Sequence, residues 1–259
     1  SIAYINRGLT IGKANLTLSG TRVYDAGTTF AGQHLIATGV AGQTFSVTGS
    51  GDASNLANKN VQANQSLSSV TGLALGSSAN NGLADNYNAM SITGSSVNVT
   101  PKALTVSATA ADKAYDATLL ATVNSINSAD IIGNDTVNIA HSSANFANKN
   151  VARDASGGII GQSVTVSGLS LSGSDAGNYS IASETVTSAK ITPKALTVAV
   201  SVADKVYDGG TSATVSAKTS NDIFSGDAVS IGFAAANFAD KNVARDANGN
   251  VMEKTATVS

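Results

Sequence analysis

The chain has 259 residues and a formal net charge of −2, with 12% charged residues, no Cys and no Trp. This balance offers no basic face to nucleic acid or anionic lipid, and no apolar run reaches the roughly 18 residues that a membrane span needs. We therefore expect no nucleic-acid partner and no membrane insertion. The lack of Cys removes disulfides and thiolate metal sites, and the lack of a signal peptide and an initiator Met indicates a fragment or a processed product.

An internal repeat of 92 residues, measured from Pro101 to Pro193, runs through the chain. It is clearest where "VTPKALTV" at 99–106 returns as "ITPKALTV" at 191–198. Three further motifs keep nearly the same period: Tyr-Asp at 24–25, 115–116 and 207–208; "NLANKNV", "NFANKNV" and "NFADKNV" at 55–61, 145–151 and 237–243; and Asn-Tyr at 86–87 and 178–179. The agreement of four motifs identifies tandem repeats.

In chain order, the repeats predict four segments: the tail strand of a preceding repeat at 1–13, repeat 1 at 14–101, repeat 2 at 102–193 and repeat 3 at 194–259. Repeat 3 is incomplete, because its last residues align with 163–167 and nothing corresponds to 168–193. An unfinished β-domain leaves an unpaired strand edge. Either repeat 3 is frayed, or a neighbouring molecule supplies a strand to it by strand exchange. Both alternatives predict that 194–259 is the least stable segment.

Short runs rich in Val, Thr and Ile, such as 103–109 and 162–171, predict β-strands separated by Gly, Asn, Asp and Ser. Asn248-Gly249 lies between two such runs and predicts a two-residue hairpin loop. About seven strands per repeat favour an all-β fold of tandem immunoglobulin-like sandwiches, with small β-grasp-like sheets as the alternative. Since the Thr-Pro-Lys connections should be extended and stiff, we expect an elongated rod.

The segments "ADKVYDGG" (203–210), "NFADKNV" (237–243) and "LSGSDAGNY" (171–179) resemble the YDG repeats and the related MBG repeats. Those repeats occur in large filamentous-haemagglutinin-like exoproteins that Gram-negative bacteria secrete by a two-partner route. The resemblance implies a stalk that holds an adhesive region away from the cell. Only Asp208-Gly209 completes the literal motif, because Ala follows the other two Tyr-Asp pairs. Since a turn that demands a positive φ would disfavour Ala, we expect that the glycine is not essential at this position.

Most of the large aromatic residues recur in these motifs together with their neighbouring aspartates. The candidate structural residues are Tyr24, Asp25, Tyr87, Tyr115, Asp116, Phe146, Tyr179, Tyr207, Asp208 and Phe238. Recurrence at a fixed register predicts that each repeat uses its few rings in its own core, with the Tyr hydroxyl bonded to the backbone as in a tyrosine corner. The alternative is a ladder of exposed rings on which a glycan stacks.

Metal and catalytic sites are poorly represented. Asp246, Asn248 and Asn250 resemble the start of a calcium loop, but its twelfth position is Thr257 in place of the bidentate Glu, which leaves them weak calcium candidates. We expect no metal and no cofactor. The two His residues are not repeat-equivalent, and only two Glu residues occur, so no catalytic constellation is visible and we expect no enzyme.

The "NLANKNV", "NFANKNV" and "NFADKNV" motifs contain Lys59, Lys149 and Lys241, each of which lies beside Asn or between Asp and Asn. A surface turn explains this pattern, and an intramolecular isopeptide crosslink is the alternative.

The leading hypothesis for function is a non-enzymatic stalk or spacer of a secreted bacterial surface adhesin or fibre, serving cell adhesion and biofilm formation at the surface of a Gram-negative bacterium. The expected partners are the neighbouring repeats of the same long chain. The alternative hypothesis is that the repeats are themselves an adhesive module, which binds a glycan or a host protein. A large exposed apolar patch would favour that alternative.

Overall fold

The computed structural model describes residue 8 and residues 10–259. Its regular structure is β-strand, with short 3₁₀ turns at Gly32–His34, Val40–Gly42, Ala84–Asn86 and Ala176–Asn178. The all-β prediction is therefore confirmed. Residues 1–7 and 9 of the predicted tail strand lie outside the described residues. In the part of the chain that is described, no helix has the length and apolar character needed to cross a membrane.

By their internal contacts the described residues form two compact units, whose limits differ from those of the repeats. Unit 1 contains the described residues up to Ala110, together with Thr122–Asn145 and Ser163–Ser188. Unit 2 contains Ala111–Ala121, Phe146–Gln162 and Ala189–Ser259. Each unit therefore combines segments of two successive repeats. The predicted repeat limits are a sequence description that these units do not test.

Repeat 1 forms one six-stranded mixed sheet in the order β4-β6-β1-β2-β3-β5. Its strands are β1 (Thr17–Val23), β2 (Leu35–Thr38), β3 (Thr44–Thr48), β4 (Gln62–Gln65), β5 (Ala74–Ala79) and β6 (Ser96–Thr100). β1 and β6 are parallel, with Ser19 opposite Ser96 and Val23 opposite Thr100. The other pairs in the sheet are antiparallel. Apolar side chains alternate along β6, which buries Val97 and Val99 on one face.

Repeat 2 is divided among smaller sheets. Its strands are β7 (Lys102–Leu104), β8 (Ser107–Ala110), β9 (Lys113–Ala114), β10 (Val123–Asn127), β11 (Asn138–Ala140), β12 (Ser143–Phe146), β13 (Gln162–Ser167), β14 (Ser170–Ser172), β15 (Tyr179–Ile181), β16 (Glu184–Ala189) and β17 (Ile191–Thr192). β12, β13 and β16 make a three-stranded sheet, while β8 pairs with β10, β11 with β14, β15 with β7 and β17 with β9. The β15–β7 and β17–β9 pairs are parallel.

Repeat 3 has four strands in two antiparallel pairs, β18–β19 and β20–β21. They are β18 (Ala199–Val202), β19 (Val215–Thr219), β20 (Ala236–Phe238) and β21 (Ala256–Val258). Among residues 194–259, Ala236 is the one buried apolar side chain. Since burial of apolar area is the main stabilising term in folding, this segment has little of its own core.

The core of unit 1 crosses the boundary between repeats 1 and 2. Most of its buried side chains come from repeat 1, and Leu104 and Tyr179 come from repeat 2. Tyr24 and Tyr179 meet edge to face, with ring centroids 5.4 Å apart and planes at 74°. This is a favourable arrangement for two aromatic rings. The junction between the repeats is therefore a packed interior.

Candidate functional site: the joint between repeats

A lysine-bearing turn begins the site. In repeat 1 the side chain Oδ1 of Asn58 accepts a hydrogen bond from the backbone N–H of Asn60 at 3.0 Å, which bends the chain around Lys59. The same bond recurs from Asn150 to Asn148 at 2.9 Å and from Asn242 to Asp240 at 2.7 Å. Such Asx turns are a local property of Asn and Asp. The "NKN" and "DKN" sequences therefore present one lysine at the tip of each turn.

The first joint centres on Asp135, whose side chain is only 5% exposed. Its Oδ2 accepts hydrogen bonds from the hydroxyls of Tyr24 and Tyr179, both at 2.7 Å. Its Oδ1 accepts one from Nζ of Lys59, also at 2.7 Å. Tyr24 and Lys59 belong to repeat 1, and Asp135 and Tyr179 belong to repeat 2. The joint is thus a carboxylate of one repeat held by the hydroxyl and ammonium of the preceding one.

Further contacts hold Tyr179 and its neighbours in the first joint. The Tyr179 hydroxyl also accepts the N–H of Ile132 at 3.0 Å. Asn178, which is buried, accepts the N–H of Val61 at 2.9 Å and donates to the side chain of Asn60 at 3.1 Å. Asp175 lies 3.2 Å from Nζ of Lys59 as a second carboxylate. The Asn-Tyr motif of repeat 2 is therefore a set of contacts to repeat 1.

The second joint repeats this chemistry in unit 2 with fewer partners. The Tyr115 hydroxyl donates to both carboxylate oxygens of Asp227, at 2.8 and 2.9 Å. Nζ of Lys149 lies 3.4 Å from the same carboxylate. Phe224 packs edge-on against Tyr115, with centroids 5.9 Å apart. These residues stand at the repeat positions of Tyr24, Asp135, Lys59 and Ile132.

Repeat 1 has residues equivalent to those of repeat 2 that accept hydrogen bonds in the first joint. The Tyr87 hydroxyl donates to Oε1 of Gln43 at 2.6 Å and accepts the N–H of Val40 at 3.1 Å. Gln43 precedes Asp135 by 92 residues, as Tyr87 precedes Tyr179. The hydrogen-bond pattern is kept, but an amide replaces the carboxylate. This position of repeat 1 therefore lacks the charge that would attract a lysine.

Hydrogen bonds in the first joint shift the pKa values of its titratable residues. The hydrogen bond that Lys59 donates to Asp135 raises the pKa of Lys59. Burial alone would raise the pKa of Asp135, but hydrogen bonds from Lys59 and the two tyrosines outweigh it and lower that pKa. Burial and the bond to Asp135 raise the pKa of Tyr179 to about 12. Nζ of Lys59 lies 2.7 Å from Oδ1 of Asp135, which is the distance of a hydrogen-bonded ion pair and favours that interpretation over the isopeptide alternative at Lys59.

The site's stability should depend on pH at both extremes. Tyr179 has a raised pKa, so its contribution is complete below its unfolded value of 10.0 and is lost as the pH rises through about 12. Asp135 has a lowered pKa, so its contribution is complete above 3.8 and is lost at more acidic pH. We expect melting temperatures to be level between roughly pH 5 and 9 and to fall outside that range.

Thermal melts across the pH range, with tyrosinate absorbance recorded in parallel, measure this. A Tyr179→Phe variant is the control, because it lacks the hydroxyl and should lose less stability between neutral and strongly alkaline pH. Equal alkaline losses in the variant and the parent would contradict the assignment.

The aspartate of each Tyr-Asp pair belongs to a separate cluster with a basic residue that precedes it by three. Arg22 pairs with Asp25, Lys113 with Asp116 at 2.8 Å, and Lys205 with Asp208 at 2.8 Å. Each base also donates to backbone carbonyls of the following loop, for example Lys113 to the carbonyls of Thr118 and Leu120. Against the effect of burial, the bonds from Lys113 and Thr118 lower the pKa of Asp116 to about 2. The Tyr-Asp motif thus closes its own loop.

The residue after each Tyr-Asp pair has a positive φ in all three repeats: 63° at Ala26, 62° at Ala117 and 77° at Gly209. Glycine is therefore not essential at this position, as expected, although the turn does have a positive φ, which Ala adopts in repeats 1 and 2. The Asx turn made by the preceding aspartate fixes this geometry, since its Oδ1 accepts the N–H two residues on. Left-handed backbone costs an L-residue roughly 1–2 kcal/mol. Repeats 1 and 2 bear that cost with Ala.

Replacing Ala117 by Gly should therefore stabilise unit 2. The relief of left-handed strain, less the greater flexibility of Gly in the unfolded chain, leaves a net gain of about 0.5–1 kcal/mol. Urea denaturation of the full chain would measure it. Gly209→Ala is the matched control in the same unit and should lose a similar amount. A loss of stability in Ala117→Gly would show that the turn is not strained.

The structure places the other predicted residues unevenly. Tyr24, Tyr87, Tyr179 and Phe146 are buried. Tyr115 is half-buried, and Tyr207 is 57% exposed, unlike the core positions expected for both. Phe238 is half-buried where Phe146 is buried. The difference follows from repeat 3, whose strands do not cover these rings.

The weak calcium candidates form a turn of their own. Oδ1 of Asp246 accepts the N–H groups of Asn248 and Asn250 at 2.9 and 2.8 Å. The Asp246 N–H donates to the carbonyl of Asn250, which closes a three-residue loop with Gly249 at φ 84°. The predicted two-residue hairpin is wrong, because the Asp246 side chain organises a longer loop of the kind that ends on a left-handed Gly. Within residues 8 and 10–259, no three His, Asp or Glu side chains are grouped to hold a metal.

Sequence reasoning missed the residue at the centre of the joint. Asp135 and Asp227 are 92 residues apart and both precede a Val by two positions. This signal was available, but an Asp in a Gly- and Asn-rich stretch is ordinary for a loop. The repeat motifs include Tyr24, Lys59 and Tyr179, yet nothing in the linear sequence says that they meet.

A comparison with protein-family models matches the YDG domain at residues 100–187 and 192–259, which is more than half of the chain. Neither a curated protein nor a solved structure shows significant similarity to it.

Proposed function

Because the chain belongs to the YDG domain family, we propose that it is a run of non-enzymatic stalk or spacer repeats from a secreted bacterial surface adhesin or fibre. The observation that carries this proposal is the joint: the residues that define the repeat hold one repeat to the next. Tyr24 and Lys59 of repeat 1 donate hydrogen bonds to Asp135 of repeat 2. Tyr115 and Lys149 donate to Asp227 in the same way. Motif residues that connect one repeat to the next are what a spacer requires.

The joint also supports a mechanical role. The Lys59–Asp135 ion pair and the bond from the Tyr24 hydroxyl to Asp135 must break before repeats 1 and 2 separate at the first joint, and the aromatic contact of Tyr24 with Tyr179 breaks with them. Bonds to a charged group are stronger than neutral ones. We propose that such joints keep a secreted array stiff at the surface of a Gram-negative bacterium.

The finer architecture is part of the proposal. An immunoglobulin-like sandwich is made of antiparallel sheets. The parallel β1–β6 pair in one mixed sheet instead supports the β-grasp-like alternative for repeat 1. The elongated rod stays a prediction. Small-angle scattering of the full chain tests it: a rod-like profile is expected, and a compact one would refute it.

Pulling single molecules of the full chain between two handles tests the stalk function. We expect unfolding steps at forces that drop when Asp135 is replaced by Ala. In parallel, the immobilised chain is incubated with a glycan array and with host cells. No saturable binding is expected. Saturable binding that ends on mutation of exposed residues would favour the adhesive alternative.

A further inference from the structure

Matched positions of repeats 2 and 3 differ in burial beside the Thr-Pro-Lys connection. Leu104 is 6% exposed, whereas its counterpart Leu196 is 37% exposed. Val137 is half-buried, whereas its counterpart Val229 is 48% exposed. The sequence around the two leucines is the same, since "PKALTV" occurs in both repeats. A covering element present in unit 1 must account for the difference.

That covering element is the Asn-Tyr strand. β15 runs parallel to β7, with Tyr179 opposite Lys102 and Ile181 opposite Leu104. It brings the Tyr179 ring against Tyr24. The residues that correspond to β7 in repeat 3, 194–196, are not in a strand and pair with no other segment among the described residues. They therefore offer a free edge of N–H and C=O groups.

An apolar cavity of about 220 Å³ lies beside this edge in unit 2. Its lining includes Tyr115, Val151, Leu196, Phe224, Asp227 and Val229. Their repeat counterparts in unit 1 surround the Tyr179 ring or flank its strand. Two of these counterparts, Asp135 and Ile132, are hydrogen-bonded directly to the Tyr179 hydroxyl. A cavity of roughly 150 Å³ is enough to bind a benzene ring. The space in unit 2 therefore matches an aromatic side chain.

We propose that this surface binds the Asn-Tyr strand of another YDG repeat by parallel strand addition beside residues 194–196. The tyrosine ring enters the cavity, and its hydroxyl donates to Asp227, which Tyr115 already contacts. The acidic residue that precedes Asn-Tyr pairs with Lys149, whose side chain is 42% exposed, as Asp175 pairs with Lys59. Main-chain bonds give affinity and the ring gives specificity, as is usual for strand addition. The proposal does not depend on the stalk function.

The test adds a fluorescent nine-residue peptide with the sequence of residues 174–182, Ser-Asp-Ala-Gly-Asn-Tyr-Ser-Ile-Ala, to the full chain. Anisotropy should show saturable binding, and a peptide with Ala in place of Tyr should not bind. Asp227→Asn in the chain should weaken binding about tenfold or more, because a bond to a charged acceptor is lost. Asp204→Asn, which removes the same charge from an exposed position of unit 2, should leave binding unchanged.

A second arm covers weak affinity. The peptide is fused to the full chain through a flexible Gly-Ser linker, which raises its effective concentration to the millimolar range. Amide exchange at Leu196 and Val198 should then slow in the fusion and not in the Tyr→Ala fusion. Failure in both arms overturns the proposal. The proposal is also overturned if the two peptides bind equally, or if the chain forms a dimer that saturating peptide does not dissociate. None of these results bears on the stalk function, which the pulling experiment tests separately.

Discussion

Replacing Tyr179 by Ala should lower the free energy of unfolding of unit 1 by about 3–5 kcal/mol, the usual cost of truncating a buried aromatic side chain. The ring is 5% exposed, packs on Tyr24 and carries a hydroxyl that serves both Asp135 and the N–H of Ile132. Truncation opens a cavity and leaves those two groups short of a partner. Such a loss is a large part of the stability of a small domain.

Urea denaturation of the full chain, followed by near-ultraviolet circular dichroism, measures this effect. Tyr207→Ala is the matched control, since the same residue type in the same repeat family is 57% exposed there. It should lose less than about 1 kcal/mol, as exposed substitutions usually do. If the two variants unfold alike, Tyr179 is not a core residue.

Replacing Asp135 by Ala should cost unit 1 about 3–5 kcal/mol, because it leaves a lysine and two buried hydroxyls without their common acceptor. Lys59 is 35% exposed, so water can solvate its ammonium and the loss should fall toward the lower end. Asp135→Asn keeps the shape, removes the charge and should lie between the variant and the parent. Chemical denaturation of the full chain measures all three.

The matched control is Asp227→Ala, which removes the same carboxylate from the second joint. It should cost less, because Asp227 has one hydroxyl donor and a lysine at 3.4 Å. A double-mutant cycle with Lys59→Met isolates the ion pair in the first joint. A coupling energy near zero, together with equal losses for Asp135→Ala and Asp227→Ala, would refute the central role of Asp135.

Local rules explain what the sequence predicts well. Alternating Val and Thr residues predict strands such as β13 and β16, and the period of 92 residues places equivalent turns in each repeat. The lysine turns follow from Asn and Asp, whose side chains bond the backbone two residues on. These features depend on a few adjacent residues, so the sequence contains what is needed to find them.

Long-range pairing explains what the sequence does not predict. The first joint joins Tyr24 to Asp135 across 111 positions, and the parallel β1–β6 pair joins residues nearly 80 positions apart. The register of Tyr207 predicts its burial, but burial depends on which strands cover a ring. At Ala26 and Ala117 the closed loop overrides the preference of Ala for negative φ.

The joint has a donor side and an acceptor side that differ, so it belongs to the class of heterologous contacts, which have no built-in end. In proteins whose repeats touch only their neighbours, each added repeat contributes its own stability and one more contact. Gain or loss of one 92-residue unit by recombination in the gene would therefore leave the remaining contacts chemically unchanged. The position of Gln43 is the exception, because an amide there cannot pair with a preceding lysine as Asp135 does. Repeat number should therefore vary more freely in such a gene than the order in which Gln-bearing and Asp-bearing repeats follow one another.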